Sequence, residues 1–415
     1  MLRLTGALQR YDWGSPTVMP SFLGVPADDK PWAELWFGAH PAGPTMVVPQ
    51  GCEHRIFCEL EETFSSEAES HLASIIGDDP VGQLGSDVVE RFGEKLPFLL
   101  KVITPGRPLS LQVHPDSARA AQMFKAEDDA GIDRLAPERS YKDANHKPEM
   151  VLALTHYEAV AGFRAPRRAG EVLAGLDCEV AESMRKTLRR NPTRFGIRQV
   201  FTEVVSDETK PSPGQIEELV NAVRVRQQAG LSPSPRVDAN VVAMNEAFPG
   251  DPGVAASLLL NPVTLQPGEA LFVPAGAVHA YISGLGIEVM ASSDNVLRAG
   301  LTTKHVDVDE MLACVDYVAA PPVRPAPEYI SSVTRAYYAP VDDFDVLVTT
   351  VRRGDGRVQV MGHGPRIGIV VEGSLRLGTI GGSEELTVGQ AVFIPAFERA
   401  LSVEGEGVLV QAECP

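Results

Sequence analysis

Long apolar runs, paired cysteines and positive charge are all scarce in this chain. Nowhere do about 18 apolar residues run together, the length a membrane-crossing helix needs, so no membrane anchor or membrane partner is expected. The opening Met1-Leu-Arg-Leu-Thr-Gly-Ala lacks the apolar block and cleavage site of a secretory leader, which makes the cytoplasm the expected compartment. Cys52, Cys58, Cys178, Cys314 and Cys414 stand singly, without a CxxC pair. That spacing argues against a disulfide framework and against a thiolate zinc site. Any metal must then be held by nitrogen and oxygen. Against 55 acidic residues there are 37 Lys and Arg, a formal net charge of −18. Nucleic acid is not an expected partner, because its phosphates require a basic surface. A small anion remains admissible if basic residues gather in its pocket.

What is present is a globular composition, 44% hydrophobic and 22% charged, over 415 residues. A chain of this length suggests about two or three domains. Residues 1–163 carry short β-type runs broken by Gly and Pro, such as Thr45-Met-Val-Val-Pro and Leu96-Pro-Phe-Leu-Leu-Lys-Val-Ile. Within them, 66–91 has a more helical pattern. From 164 to 250 the period becomes helical throughout. Its best case opens at Ser212-Pro213-Gly214-Gln215, a capping box with Pro in the first turn. Ile216, Leu219, Val220 and Val223 then form one apolar stripe, ended by Gly230 and Pro233. Helical patterns also cover 170–188 and 238–247. Strand texture returns over 251–318, a Pro-rich linker spans 319–327, and 328–415 is again strands and turns. The expected division is a β domain of 1–163 plus 251–318, an all-helical insertion of 164–250, and a C-terminal β domain of 328–415.

An internal repeat ties the two β regions together. Leu265-Gln-Pro-Gly-Glu-Ala-Leu-Phe-Val-Pro-Ala recurs as Leu386-Thr-Val-Gly-Gln-Ala-Val-Phe-Ile-Pro-Ala. Each copy reads as a Gly turn, a strand, and a Pro closing it at a barrel rim. The first copy continues to Gly276-Ala-Val-His279, the spacing of the second cupin motif. The Pro-x-Gly bend starts a strand whose first side chain points into the barrel, where a neutral imidazole can bind metal. In the second copy Ala400 takes that place, so that barrel is expected to be degenerate and metal-free.

Partner ligands come from an earlier segment. Ser110-Leu-Gln112-Val-His114 sets Gln112 and His114 on one strand face. In Asn145-His146-Lys147-Pro148-Glu149, Pro148 favours an extended entry to a strand. His146 and Glu149 are three apart and face opposite ways, so either one is the next ligand. Gln, two His and one carboxylate leave a divalent ion with residual positive charge, a Lewis acid. Zinc fits this sulfur-free set, as do manganese, iron and cobalt.

Taken in order, Tyr11-Asp-Trp-Gly, Ala33-Glu-Leu-Trp-Phe-Gly-Ala-His-Pro, Ser110-Leu-Gln-Val-His-Pro-Asp, Asn145-His-Lys-Pro-Glu-Met and Arg298-Ala-Gly-Leu-Thr-Thr-Lys resemble the type I mannose-6-phosphate isomerases. The likeness runs over nearly the whole chain, most closely to about residue 310. It implies mainly β cupin barrels, one metal-binding and one degenerate, with an inserted helical domain. It also implies one Zn2+ per chain and interconversion of mannose 6-phosphate and fructose 6-phosphate. The family's ligands fall on Gln112, His114, Glu149 and His279, which selects Glu149 over His146.

Moving a carbonyl between C1 and C2 requires a proton shuttle, an enediolate stabiliser and a cationic anchor for the distant phosphate. Lys101, Arg107, Lys142, Lys147, Arg298 and Lys304 sit within motif segments of this acidic chain. The resemblance places Lys101, Ser110, Lys147, Arg298 and Lys304 near the pocket, with Arg298 as the catalytic arginine. Glu288 and Asp294 follow His279 and are acid/base or substrate-binding candidates. Alternatively, Glu288 is the buried ion-pair partner of Arg298 or a lysine. Lys147 is a further candidate for carrying the proton. Tyr281 can hydrogen-bond a sugar hydroxyl or a carboxylate. His40 reads as structural, and His54, His71, His156, His305 and His363 have no ligand partners at useful spacing. Trp13, Trp32 and Trp36 are expected in the barrel core. The expected enzyme is a monomer acting on a small phosphorylated sugar. The rival reading is a sugar-phosphate-binding cupin without catalysis.

Overall fold

The computed structural model describes residues 1–48, 55–59 and 70–415. Cys52, His54 and residues 66–69 of the helical pattern lie outside them; the rest of that pattern, from Leu72, falls in three short helices, Leu72–Asp78, Pro80–Leu84 and Ser86–Phe92. Two antiparallel sheets face one another in the first β region. One runs in the order Leu260–Leu265, Tyr157–Phe163, His279–Ser283, Leu111–Val113, Leu297–Gly300. The other runs Ala270–Val273, Glu149–Ala153, Gly286–Ala291, Phe98–Ile103, Glu34–Phe37, Leu2–Gln9. Their inner faces meet in one apolar cluster that includes Ile103, Val151, Tyr157, Val263, Val273 and Tyr281. The architecture is a mainly β cupin barrel.

Alternation along the strands explains what covers each outer face. Leu111, Val113, Ala280, Ile282, Leu297 and Ala299 point out of the first sheet, into a cluster shared with the helices. Those helices are Pro166–Val172, Glu179–Arg190, Arg194–Val205, Pro213–Gln228 and Pro235–Ala247. The Ser212 capping box forms as read, with Ser212 and Gln215 bonding reciprocally. The pattern over 170–188 divides into two helices, because Gly175 takes a left-handed φ of 77° and the chain turns before Glu179. The helical block pads the back of the sheet that bears His279, Gln112 and Arg298.

In the C-terminal region, Thr334–Tyr337, Asp345–Val351, Leu401–Glu413, Arg366–Thr379, Ala391–Ile394 and Gly382–Thr387 form a second antiparallel barrel wall. The repeat is visible in its backbone: Gly268 and Gly389 open equivalent strands with φ of 85° and 82°. The two barrels share the first strand. Leu8 and Gln9 pair with Leu35 and Glu34, whereas Leu2 and Leu4 pair with Phe393 and Ala391. A common apolar layer, including Leu4, Phe37, Met150, Ile367 and Phe393, is buried between them. Among the described residues no helix is long and apolar enough to cross a membrane.

Candidate metal centre and substrate pocket

Among the apolar side chains that fill the first barrel, a few that point inward are polar. On the helix-backed sheet, His279 pairs with Gln112 and Gln112 with Arg298, so three side chains form a row across one face. Gly276, in the bend before His279, has a φ of 79°. A Cβ there would stand 3.1 Å from the Asp316 Cβ, so both backbone conformation and space demand glycine. On the opposite sheet, Met150 and Leu152 pack outward, leaving Glu149 facing the row.

Glu149 lies 2.9 Å from His279 Nε2 through one oxygen and 3.4 Å from His114 Nε2 through the other. All three are buried, with relative exposures of 2% or less. The Nδ1 of His114 is 2.8 Å from the Asn295 carbonyl, and that of His279 is 2.9 Å from the Ala277 carbonyl. Carbonyls only accept, so each Nδ1 carries the proton and each Nε2 presents a lone pair. Two lone pairs therefore converge on a carboxylate, and neither Nε2 has a hydrogen-bond partner. Acceptors facing acceptors in a buried site are stable only around a cation. Burial, reinforced by Lys147, pushes the His114 imidazole down to about 4, which keeps it neutral. Tyr281 donates its hydroxyl to Glu149 Oε1 at 3.0 Å, the carboxylate contact of its two expected roles.

Beyond the cluster, register sets Glu288 opposite Lys101 and Trp36 opposite Lys101. Lys101 Nζ is 3.1 Å from Glu288, 3.5 Å from Glu34 and 4.9 Å from the Trp36 ring centre. Burial would lower the lysine, but Glu34, Glu288 and Glu149 raise it and keep it charged. Burial raises Glu288 against the pull of Lys101. Of the ion-pair partners named for Glu288, the structure supplies a lysine.

The remaining candidates gather at the mouth. Lys304 stands 5.8 Å over the Tyr11 ring. Its ammonium is lowered by burial and by neighbouring Arg298 and Lys142. Ser110 is half-buried just before the strand Leu111–Val113. Asp294 Oδ1 lies 3.8 Å from His40 Nε2. Among the described residues, Lys142, Lys147, Arg298 and Lys304 have no carboxylate within ion-pairing distance. In so acidic a chain, four unpaired cations around one pocket are what an anionic substrate requires. His146 turns the other way, its Nε2 2.9 Å from Asp343.

Three contributors were not singled out in the sequence. Asn295 is fully buried, and its side chain bonds the backbone of Lys142, Asp143 and Asn145 while its carbonyl holds His114. Glu34 secures both Lys101 and the Trp36 indole, at 2.7 Å. Asp143 ties the loop through Ser293 and the Asp294 amide, each at 2.8 Å. Their motifs marked the segments without showing which side chain served which neighbour.

Similarity to known proteins extends over the whole chain. The sequence model of phosphomannose isomerase type I, catalytic domain, matches residues 1–166. Mannose-6-phosphate isomerase of Escherichia coli (strain K12) is 34% identical, over 99% of this chain and 99% of its own length. Mannose-6-phosphate isomerase 1 of Arabidopsis thaliana is 31% identical, over 95% of this chain and 89% of that protein. A solved mannose 6-phosphate isomerase with zinc bound matches with a TM-score of 0.87 at 31% identity, covering 100% of this chain and 99% of that one. A variant of phosphomannose isomerase from Salmonella typhimurium gives a TM-score of 0.87 at 31% identity and the same coverage. Alike from end to end in sequence and fold, the chain belongs to the type I mannose-6-phosphate isomerase family.

Proposed function

We propose a division of labour among the pocket residues for the reaction this enzyme catalyses, the interconversion of mannose 6-phosphate and fructose 6-phosphate. Zinc is the cofactor, and Gln112, His114, Glu149 and His279 are its ligands. The observation that carries the reading is the pair of buried imidazole lone pairs aimed at one carboxylate. When bound there, zinc supplies a Lewis-acid charge to sugar oxygens. Tyr281 orients Glu149 from behind.

The reaction moves one proton between C2 and C1 and one between the attached oxygens, through an enediolate. Arg298, next to Gln112 and unpaired, stabilises the enediolate charge and never titrates. Glu288, raised by burial and linked to Lys101, is the acid/base group. Lys147 contributes hydrogen bonds to sugar oxygens and stands as the alternative proton carrier. Lys304, with Ser110 and Asp294 at the rim, receives the phosphate end and hydroxyls, and Lys101 holds its ammonium beneath them. The same reading makes the enzyme a cytoplasmic monomer with the three-part division given above. The change from strands to helices over 166–247 and an apolar cluster within the C-terminal barrel support the division, and exposed large apolar side chains such as Leu135, Leu231 and Ile380 support the monomer.

The test joins metal content to a coupled isomerase assay. His279→Ala is expected to lose bound zinc and turnover together. Full activity in a metal-free variant would overturn the ligand assignment.

A further inference from the structure

The second barrel has kept the geometry of the first while its chemistry has been inverted. In the first barrel Val273 pairs with Glu149, and in the repeat the equivalent Ile394 pairs with Arg366. A guanidinium thus stands where the first barrel has its carboxylate. Two residues further along each strand, Val151 pairs with Glu288 and Gly368 with Gln411, so Gln411 takes the place of Glu288. Val360 pairs with Leu401, where that ladder ends, and Met361 and Ala400 lie just past it, both exposed. Two residues on, His363 is exposed and follows the strand as His114 follows Gln112. Ile367 and Ile369 pack outward in the layer between the barrels, which leaves Arg366 on the inner face, as Glu149 is.

Arg366 is 1% exposed. Its Nη2 donates to the carbonyls of Glu398 at 2.7 Å and Arg399 at 3.1 Å. Its Nε and Nη1 have no partner, and among the described residues no carboxylate comes within ion-pairing distance. Gln411, fully buried, leaves both Nε2 and Oε1 unpartnered. Glu413, the cross-strand neighbour of Arg366, accepts from the His363 amide at 3.1 Å and is pushed up to about 7 by burial against the pull of Arg366. Glu413 and Glu398 act on the guanidinium only from beyond contact distance, so two of its nitrogens stay buried without a hydrogen-bond partner, an arrangement that an oxyanion in contact would relieve. Arg366 opens on a cavity of about 660 Å³ whose wall also includes His363, Arg399, Phe397, Val81 and Asp87. Asp87 is turned to Arg91, at 3.0 Å. Phe397 and Val81 are more than half exposed and give the mouth an apolar rim.

We propose that the second barrel is an oxyanion site, in which Arg366 binds the phosphate or carboxylate of a small metabolite at the position where the first barrel binds its metal. At the place of Glu149 the second barrel has Arg366, which cannot serve a cation. The exposed His363 and Arg399 sit where they meet the anion or its substituents. The body of the ligand rests on Phe397 and Val81.

Hydrogen–deuterium exchange on the full, zinc-loaded enzyme tests this with two probes, inorganic phosphate and benzoate. Both are expected to protect 361–366 and 396–400, and benzoate also 81–88; benzoate acting alone identifies a carboxylate site, phosphate alone a phosphate site. Arg366→Met should abolish that protection while kcat/KM for mannose 6-phosphate is unchanged. Arg399→Glu, at an exposed position that leaves folding intact, should raise the half-protecting concentration about tenfold, the scale of one charge-assisted contact. Absence of protection with both probes in the unmodified enzyme would overturn the proposal. So would protection that survives Arg366→Met, or, should that variant not fold, protection insensitive to Arg399→Glu.

Discussion

Arg298 and Tyr281 act on opposite sides of the same cluster, and their removal should separate cleanly. Arg298 lies in the row with Gln112 and His279 but binds no protein carboxylate, so it is available to substrate. Arg298→Ala should keep its zinc and lose about 10²–10³ in kcat, the usual scale for a lost oxyanion donor. Metal analysis beside steady-state kinetics reads both, and an unchanged kcat removes its catalytic role. Tyr281→Phe deletes the hydroxyl that donates to Glu149. Zinc affinity should drop about 10–100-fold by chelator competition, since supporting hydrogen bonds of this kind contribute that much. In the second barrel, burial pushes Glu413 up to about 7 from an ordinary 4.5. Between those values the folded chain holds a proton that the unfolded chain has lost. Stability should therefore fall as pH rises from about 4.5 to about 7, by up to about 3 kcal/mol from this group. Denaturant midpoints of Glu413→Gln should lose that slope and exceed the parent's at pH 8; parallel pH curves would count against it.

At the scale of elements, local signals were legible and pairings were not. The Ser212 capping box is exposed and complete, so Ser212→Ala should cost about 1 kcal/mol of stability with kcat/KM unchanged, measured by urea denaturation. Box, apolar stripe and terminal glycine lie within one stretch of chain, which is why that helix could be read from the residues. The Gly268 and Gly389 turns were legible for the same reason. The helix Arg194–Val205 was not singled out: Phe195 leaves it for solvent at 59% exposure, blurring its stripe. In the site, spacing set Gln112 beside His114, but the choice of Glu149 over His146 came from the family resemblance. Nothing local says that His146 will meet Asp343, about two hundred residues away. Asn295 went unnoticed because its work is to bond backbone, and backbone partners leave no mark on composition.

Over the whole molecule, the strand Leu2–Gln9 belongs to both barrels. One end is paired within the first barrel, and the other, held on one edge by Met46–Val48, waits on its second edge for Ala391–Ile394. A ribosome adding about 5–20 residues per second delivers that partner tens of seconds after the strand itself. Until then Leu2, Arg3 and Leu4 present an edge open to any neighbouring chain on the same polysome. The first barrel's seam is thus closed last, by almost the final segment made, and synthesis order rather than stability sets when this enzyme becomes safe from aggregation.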